Sequence, residues 1–135
     1  MKKTNRILKC LIFCTVVFLA SCDPEKDENI LDRDLFLGTW VCTESSQVTG
    51  NTAFQVTIAE SKANETDVFI KNFYNLGTTE QVIATISGKS ISIPQQVVSN
   101  NTVSGSGTIS GNTMNLQYSV NDGQATDHAT AVLTK

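Results

Sequence analysis

From Gly38 to the end of the chain, apolar and polar residues alternate with a period of two. Turn signals interrupt the alternation at intervals of about 8–12 residues, which is typical of short antiparallel strands with one buried face. The pattern predicts eight strands, over residues 39–46, 54–61, 67–73, 81–87, 90–93, 103–109, 113–120 and 126–134. The inward positions are clearest in the second, seventh and eighth strands, where they are Phe54, Val56 and Ile58, then Met114, Leu116, Tyr118 and Val120, then Ala129, Ala131 and Leu133.

Eight strands joined in sequence by turns fit an all-β, eight-stranded up-and-down antiparallel barrel, because closure leaves no exposed sheet edge. A sandwich of two sheets is the alternative. Gly105 and Gly107 share the inward parity of Val103 and Ile109. Glycine inside a strand marks a sharp bend or a close approach. These two glycines therefore either let the sheet coil shut or leave space inside the barrel, and only the second interpretation favours a ligand cavity.

A different pattern precedes the strands. The run from Cys10 to Ala20 is apolar and follows a start that contains four basic residues and no acid. These are the parts of a secretory signal peptide, and the run is shorter than the roughly 20 apolar residues of a transmembrane helix. The segment Leu19-Ala20-Ser21-Cys22 resembles the lipobox of bacterial lipoproteins. The resemblance implies that residues 1–21 are a cleaved signal peptide and that Cys22 carries lipid and anchors the chain to a membrane.

Residues 22–37 are expected to form an acidic tether and a short helical segment. The acids that follow Cys22 resemble the signal that sends Bacteroidota-type lipoproteins to the cell surface, although an acidic spacer also serves solubility. The apolar residues between positions 30 and 37 predict one or two helical turns that pack onto the domain, since so short a helix is unstable alone. We expect an outer-membrane protein of the cell envelope, and its exposure at the cell surface is left open.

Charge and cysteine content narrow the function classes. Four of the ten basic residues and none of the thirteen acidic residues precede Cys22, so cleavage would change the formal net charge from −3 to −7. An acidic chain without a basic patch argues against nucleic-acid binding. After cleavage and lipidation only Cys42 remains a free thiol, which excludes a disulfide framework. We expect Cys42 to be a small buried hydrophobe, and a reactive thiol is the alternative.

The opening Gly38-Thr39-Trp40 resembles the Gly-x-Trp motif of lipocalins. With the strand pattern and the closing residues 131–135, residues 38–135 resemble the small lipocalin-like barrel lipoproteins of Bacteroidota. The resemblance implies a barrel domain over residues 38–135, with Trp40 inside its closed end. The chain is shorter than a typical lipocalin and lacks the disulfides and C-terminal helix of that family.

The strand order sorts the loops between two ends of the barrel. The loops at 62–66, 88–89 and 110–112 share an end with the start of the first strand, which we call the Trp40 end. The loops at 47–53, 74–80, 94–102 and 121–125 lie at the opposite end, called the far end. Because long loops on a rigid scaffold commonly carry binding sites, we expect the barrel to open at the far end, away from the tether. Amides and tyrosines there suit a sugar or another neutral polar ligand, and ordinary solvated turns are the alternative.

Two functions follow from this arrangement. The first is a lipocalin-like barrel that binds a small molecule at the far end. Its candidate ligand-binding residues are Phe54, Val56, Tyr74, Val82, Val103, Tyr118 and Val120, with Cys42 beside them. The alternative is a barrel with a filled core that serves as a protein-interaction or structural module of the envelope.

No residue pattern predicts catalysis, a cofactor or a metal site. His128 is the only histidine, and its strand neighbour Asp127 points to the opposite face. Glu44 and Glu60 share the inward parity but are expected roughly 13 Å apart, beyond the roughly 5–10 Å that glycoside hydrolases use. Whether Glu80, Asp122 and Asp127 meet at the far end is not evident from the sequence. We therefore predict a binding protein and not an enzyme.

Overall fold

A computed structural model describes residues 32–135 of the chain. Eight strands pair in sequence order and close into one antiparallel barrel, because β1 pairs with both β2 and β8. The strands are β1 Gly38–Ser46, β2 Gly50–Glu60, β3 Asp67–Lys71, β4 Gln81–Ser87, β5 Ser90–Val98, β6 Asn101–Ser110, β7 Thr113–Asn121 and β8 Thr126–Thr134. The predicted eight-stranded up-and-down barrel is confirmed. The predicted signal peptide, Cys22 and the first part of the tether lie outside the described residues.

The barrel interior is filled by side chains from all eight strands. The predicted inward positions of β7 and β8 are buried, as are Val56 and Ile58 of β2. The largest fully buried side chains are Trp40, Phe36, Ile58, Ile70, Ile91, Met114 and Leu133. A narrow eight-stranded barrel has an interior that side chains can fill, and close packing of this kind supplies most of its hydrophobic stabilisation.

The Trp40 end is closed by the residues that precede β1. A 3-10 helix spans Asp32–Leu35, where a helical segment was expected, and its Arg33 is buried. The Arg33 guanidinium donates to the carbonyl oxygens of Ser61 at 3.2 Å and Asn64 at 2.8 Å, and it pairs with Glu60 at 3.3 Å. These contacts satisfy carbonyl groups at the end of β2 and in the loop that follows it.

Trp40 lies inside this closed end, as the lipocalin resemblance implies. Its ring is fully buried, and its Nε1 donates to the Phe36 carbonyl oxygen at 2.8 Å. Lys135 Nζ lies 4.3 Å from the centre of the same ring and donates to the carbonyl oxygens of Leu35 and Leu37 at 3.1 and 2.9 Å. The last described residue therefore holds the segment before β1 against the barrel.

Gly105 and Gly107 let the sheet coil shut and do not open space inside it. They pair with the inward residues Tyr118 and Leu116 of β7. A Cβ atom built on Gly105 would lie 2.6 Å from Tyr118 Cβ, and one built on Gly107 would overlap the Leu116 side chain. β6 and β7 approach too closely at these positions for any larger residue, so the glycines mark a close approach of strands and do not leave space for a ligand.

Two predicted far-end loops are largely strand. The prediction of loops at 47–53 and 94–102 was wrong, because β2 begins at Gly50 and β5 continues to Val98. Pro94 lies in a register shift between Ile93 and Gln96, where its missing N–H is tolerated. The Gln96 side-chain amide bonds both the N–H and the carbonyl oxygen of Ile83, at 2.9 and 2.7 Å. This amide replaces a pair of ladder hydrogen bonds between β4 and β5.

The longest described connection, residues 72–80, joins β3 to β4. β3 ends at Lys71, two residues earlier than predicted, because Asn72 adopts a left-handed conformation with φ of 60°. A second 3-10 helix, Phe73–Asn75, follows and folds across the far end. Among the described residues, no helix is both long and apolar enough to cross a membrane.

Candidate functional site at the far end

Aromatic side chains cover the far end of the barrel. Phe73 is buried, and its ring centre lies 4.5 Å from that of Tyr118. Tyr74 is half-buried and meets the Tyr118 ring edge-on at 6.4 Å. Asn72, Tyr74 and Asn75 all have positive φ angles. Such left-handed residues cost free energy unless surrounding contacts hold them, and here the buried Phe73 and the bonds of Tyr74 do so.

Asp127 is the centre of a buried hydrogen-bond network beneath these rings. Its carboxylate accepts from the hydroxyls of Ser46 at 2.5 Å and Tyr74 at 2.6 Å. It also accepts from the backbone N–H groups of Gln47 at 3.0 Å and Val48 at 3.2 Å. Asp127 is only 4 % exposed, so these four donors replace the water that an ionised carboxylate requires.

Glu44 forms a second buried polar group beside the first. It is 3 % exposed and accepts a hydrogen bond from the Tyr118 hydroxyl through Oε2. Its other oxygen, Oε1, receives only a long hydrogen bond of 3.4 Å from Thr52. Glu44 is therefore less completely solvated by protein donors than Asp127, although both face the same interior.

The two carboxyl groups respond to these environments in opposite directions. Burial raises the pKa of Glu44, and the charge of Asp127 raises it further, against the lowering effect of the Tyr118 and Thr52 hydroxyls. Burial also acts to raise the pKa of Asp127, but the four donors outweigh it, so the pKa of Asp127 is lowered. The site thus combines a firmly ionised aspartate with a glutamate that holds its proton more tightly than usual.

The neighbouring hydroxyl and thiol groups are held in their neutral forms. Burial and the hydrogen bond to Asp127 raise the pKa of Tyr74 to about 12. Burial and the contact with Glu44 raise the pKa of Tyr118. Burial raises the pKa of Cys42 to about 12, with a further contribution from Glu44. Cys42 is therefore a buried, poorly nucleophilic thiol, in agreement with its predicted role as a small hydrophobe.

Two clefts open the site to solvent on either side of Tyr74. One has a volume of about 140 Å³ and is lined by Glu44, Thr49, Thr52, Tyr74 and Asn75. The other has a volume of about 120 Å³ and is lined by Val48, Tyr74, Asn101, Val120, Asp122, Ala125 and Asp127. Tyr74 lines both clefts, and each cleft contains one of the two buried acids.

The structure divides the predicted ligand-binding residues between the core and this site. Val56, Val82 and Val103 are buried core residues that line neither cleft, and Phe54 is half-buried against the core. The remaining three predicted residues are close to the clefts, and these are Tyr74, Tyr118 and Val120.

Sequence reasoning missed the polar centre of the site. Glu44 and Asp127 both have inward parity within apolar alternations, which is the one signal that could have identified them. Glu44 was considered only as half of a carboxylate pair with Glu60, which instead binds Arg33 at the opposite end. His128 is exposed on the outer face, opposite Asp127, as its parity predicts. Residues 32–135 contain no group of three or more potential metal ligands.

Comparison with known proteins supports the fold and leaves the family open. No protein-family model and no curated protein matches this sequence. A redesigned β-barrel is 17 % identical, with a TM-score of 0.57, over 78 % of this chain and 95 % of its own. Two further structures bound to DFHBI have TM-scores of 0.53. EF1p2_mFAP2b is 16 % identical, and the redesigned barrel mFAP1 is 14 % identical. Each covers 78 % of this chain, and the match spans 98 % and 99 % of their own chains.

Proposed function

We propose that this protein is a lipid-anchored barrel of the cell envelope that binds a small molecule at its far end, without catalysing a reaction. The observation that carries the proposal is the buried polar network of Glu44, Asp127 and their tyrosine partners in a core that is otherwise apolar. Burying two carboxyl groups costs free energy that an apolar core would avoid. Groups with perturbed pKa values beside a cleft are candidates for a functional site.

The contacts favour a ligand that brings a hydrogen-bond donor, such as an amine. Glu44 Oε1 lines a cleft and has only the long bond from Thr52, so it can accept a second donor. Tyr74 lines both clefts and offers a ring edge and a hydroxyl. The binding of DFHBI by mFAP1, a barrel of similar fold, lends the proposal general support.

The size of the clefts limits the ligand. Sites that enclose a drug-sized molecule have volumes of about 300–1,000 Å³. The clefts measure about 140 and 120 Å³, and the core between them and Trp40 is filled. The ligand is therefore a small molecule or the end group of a larger one, held at the rim and not engulfed.

Native mass spectrometry of the full chain, purified from its host and released from detergent micelles, tests this proposal. We expect an added mass that disappears on denaturation and is lost in Glu44→Gln and Tyr74→Ala. Thr43→Ala is the matched control, because Thr43 neighbours Glu44 in β1 and faces outward. No added mass, together with no thermal stabilisation by a panel of small amines, would refute binding at the far end.

The anchor is tested separately by labelling growing cells with radioactive palmitate. Lipid attachment at Cys22 predicts a labelled protein in wild type and no label in Cys22→Ser. Cys42→Ser is the matched control and should keep the label, since Cys42 is buried in the barrel. A label that persists in Cys22→Ser would contradict the lipobox interpretation.

A filled-core interaction module is the second candidate, and one observation favours it. Val48 is 66 % exposed and Val97 is 72 % exposed, and both lie at the far end of a core that has no room for a large ligand. Each offers an exposed apolar contact at this end, Val48 from the β1–β2 turn and Val97 from β5. A photo-crosslinking residue at position 48 should then capture a partner in intact cells, whereas one at Thr134, near the Trp40 end, should not.

A further inference from the structure

The outer wall of the barrel is unusual in its charge. Five adjacent strands, β6, β7, β8, β1 and β2, have no charged residue at their outward positions, and their one exposed charge is Glu60 at the end of β2. Their outward positions are mostly serine, threonine, asparagine and glutamine, with His128 as the one titratable group. A soluble surface normally carries about 25–35 % charged residues of both signs. An uncharged, hydrogen-bonding wall of this extent is therefore a chemical feature that solubility does not require.

The wall contains a trough that is larger than either far-end cleft. Its volume is about 420 Å³, and it crosses β6, β7 and β8. The floor is formed by the paired residues Gly105, Tyr118 and Ala129, whose side chains, where present, point into the barrel. We call this feature the β6–β8 trough.

Two rows of outward side chains border the floor. One row is Ser104, Ser119 and His128, and the other is Ser106, Gln117 and Thr130, each aligned by strand pairing. Gly105 lies in the floor and is partly exposed, and β6 and β7 approach each other closely at this position. Ser104 and Ser106, on either side of Gly105, have short side chains, so the borders of the trough rise little above its floor.

The bordering groups are available to a ligand. Ser104 and Ser119 bond each other at 3.1 Å. The side chains of Ser106, Gln117 and Thr130 make no hydrogen bond to another described residue, and all three are exposed. Hydroxyl and amide groups both donate and accept, so the two rows present mixed hydrogen-bonding capacity along both borders.

This chemistry selects among ligand classes. A phosphate or sulfate group is bound most strongly by Arg or Lys, which the trough lacks, and an acyl chain would need a continuous apolar lining. A polyhydroxylated, uncharged molecule offers donors and acceptors along its whole length and requires neither. With strands about 4.8 Å apart, the trough extends roughly 10 Å across β6 to β8, which accommodates two or three sugar rings.

We propose that the β6–β8 trough binds a neutral oligosaccharide laid across the three strands. The sugar hydroxyls exchange hydrogen bonds with Ser106 and Gln117 on one border and with Ser119 on the other. The trough shares no lining residue with the two far-end clefts, although Tyr118 in its floor bonds Glu44 on the inner side of the barrel. The proposal does not depend on the function proposed there.

The test is a titration of the full chain in detergent micelles, followed by the amide signals of its NMR spectrum. The probes are the neutral hexasaccharides of maltose, cellobiose, laminarin and chitin, with hexagalacturonate as the acidic comparison. We expect at least one neutral probe to shift the signals of Ser104, Ser106, Gln117, Ser119 and Thr130 at millimolar concentration. Hexagalacturonate should shift them less.

Variants locate the binding. Gln117→Ala should weaken binding by about tenfold, and Ser106→Lys should abolish it by filling the trough. Asn115→Ala is the matched control, since Asn115 also faces outward from β7 but lies outside the trough. The proposal is overturned if no neutral probe shifts these signals, or if Gln117→Ala and Asn115→Ala bind equally well.

Discussion

The two ends of the barrel use charged side chains of opposite sign in their hydrogen bonds. At the Trp40 end, the cationic side chains of Arg33 and Lys135 donate to backbone carbonyl oxygens of the segments that close the barrel. At the far end, the buried groups are the acids Glu44 and Asp127, and most of their donors are side-chain hydroxyls. The charged groups of the Trp40 end bind the segments that close the barrel, whereas the acidic groups of the far end lie inside the barrel.

This difference separates buried polar groups that the fold itself requires from buried polar groups that an apolar residue could replace. Backbone carbonyls at the end of a sheet need donors whatever the protein does, so the contacts of Arg33 and Lys135 have a structural explanation. Glu44 has none of this kind, because its donors are side-chain hydroxyls and an apolar residue there would require no partner. Asp127 does accept from the backbone N–H groups of Gln47 and Val48, but it also buries a charge bonded to Ser46 and Tyr74. A departure from local consistency of this sort is expected at functional sites.

The largest expected effect is at the Trp40 end. Trp40→Ala removes a fully buried ring and leaves the Phe36 carbonyl oxygen without its donor, so the free energy of unfolding should fall by about 3–5 kcal/mol. Urea denaturation followed by circular dichroism measures the loss. Val41→Ala, at an exposed neighbouring position, should cost far less. Equal losses in the two variants would show that the Trp40 end does not anchor the fold.

The stability of the barrel should be next most sensitive to substitution at Gly105, where β6 and β7 approach closely. Gly105→Ala places a methyl group 2.6 Å from Tyr118 Cβ, and overpacking of this kind costs about 1–3 kcal/mol. Gly111→Ala is the control, because nothing lies near its Cβ and only its φ of +58° opposes the change. A Gly105→Ala variant as stable as Gly111→Ala in urea would refute the close approach.

At the far end, Glu44 and Asp127 should make opposite contributions to the pH dependence of stability. The pKa of Glu44 is raised in the folded protein, so stability falls as pH increases from about 4.3, the value in an unfolded chain, to the folded value. The pKa of Asp127 is lowered, so stability rises with pH below about 3.9, in the same direction as the contributions of Asp67 and Asp122. The melting temperature across this range should therefore pass through a maximum near pH 4.

Substitution assigns each limb of that curve. Glu44→Gln keeps an acceptor for Tyr118 and should remove the fall in stability at pH values above the maximum. Each tenfold difference in proton affinity between the folded and unfolded states corresponds to about 1.4 kcal/mol of that fall. Asp127→Asn should instead weaken the rise below it. A Glu44→Gln variant whose stability still falls over the same pH range would show that another group is responsible.

The smallest effect is expected for Lys135→Ala. The lysine is exposed, so the loss of its bonds to Leu35 and Leu37 and of its contact with Trp40 should cost only about 0.5–1 kcal/mol. Hydrogen exchange should nevertheless become faster at Phe36 and Leu37 while that of β7 stays unchanged. Unchanged exchange at the Trp40 end would show that Lys135 does not hold this segment in solution.

The sequence predicted which residues of each strand point inward better than it predicted where each strand begins and ends. Alternation in β2, β7 and β8 is a local property, and it identified the inward residues correctly. The polar run Pro94-Gln95-Gln96 resembled a loop because its pairing depends on Ile83 of β4 and on β6, which no local pattern reports. Strand extent is therefore decided by partners distant in sequence.

The candidate site was less predictable for the same reason. Parity placed Glu44 and Asp127 inside, but their donors come from across the barrel. Tyr118 is 74 residues from Glu44 along the chain, and Ser46 is 81 residues from Asp127. Only the closure of β8 against β1 brings these groups together. The trough could not be predicted for the same reason, since it depends on the alignment of residues across three strands.

The double pairing of β1 has a mechanical consequence. Because β1 is bonded along both edges, to β2 and to β8, tension applied between the two ends of this strand would run parallel to both ladders. The two ladders then carry the load in shear, with many hydrogen bonds strained together. A force applied across the strands would instead peel the bonds apart one after another. The barrel should therefore resist a force along its strands more strongly than a force across them.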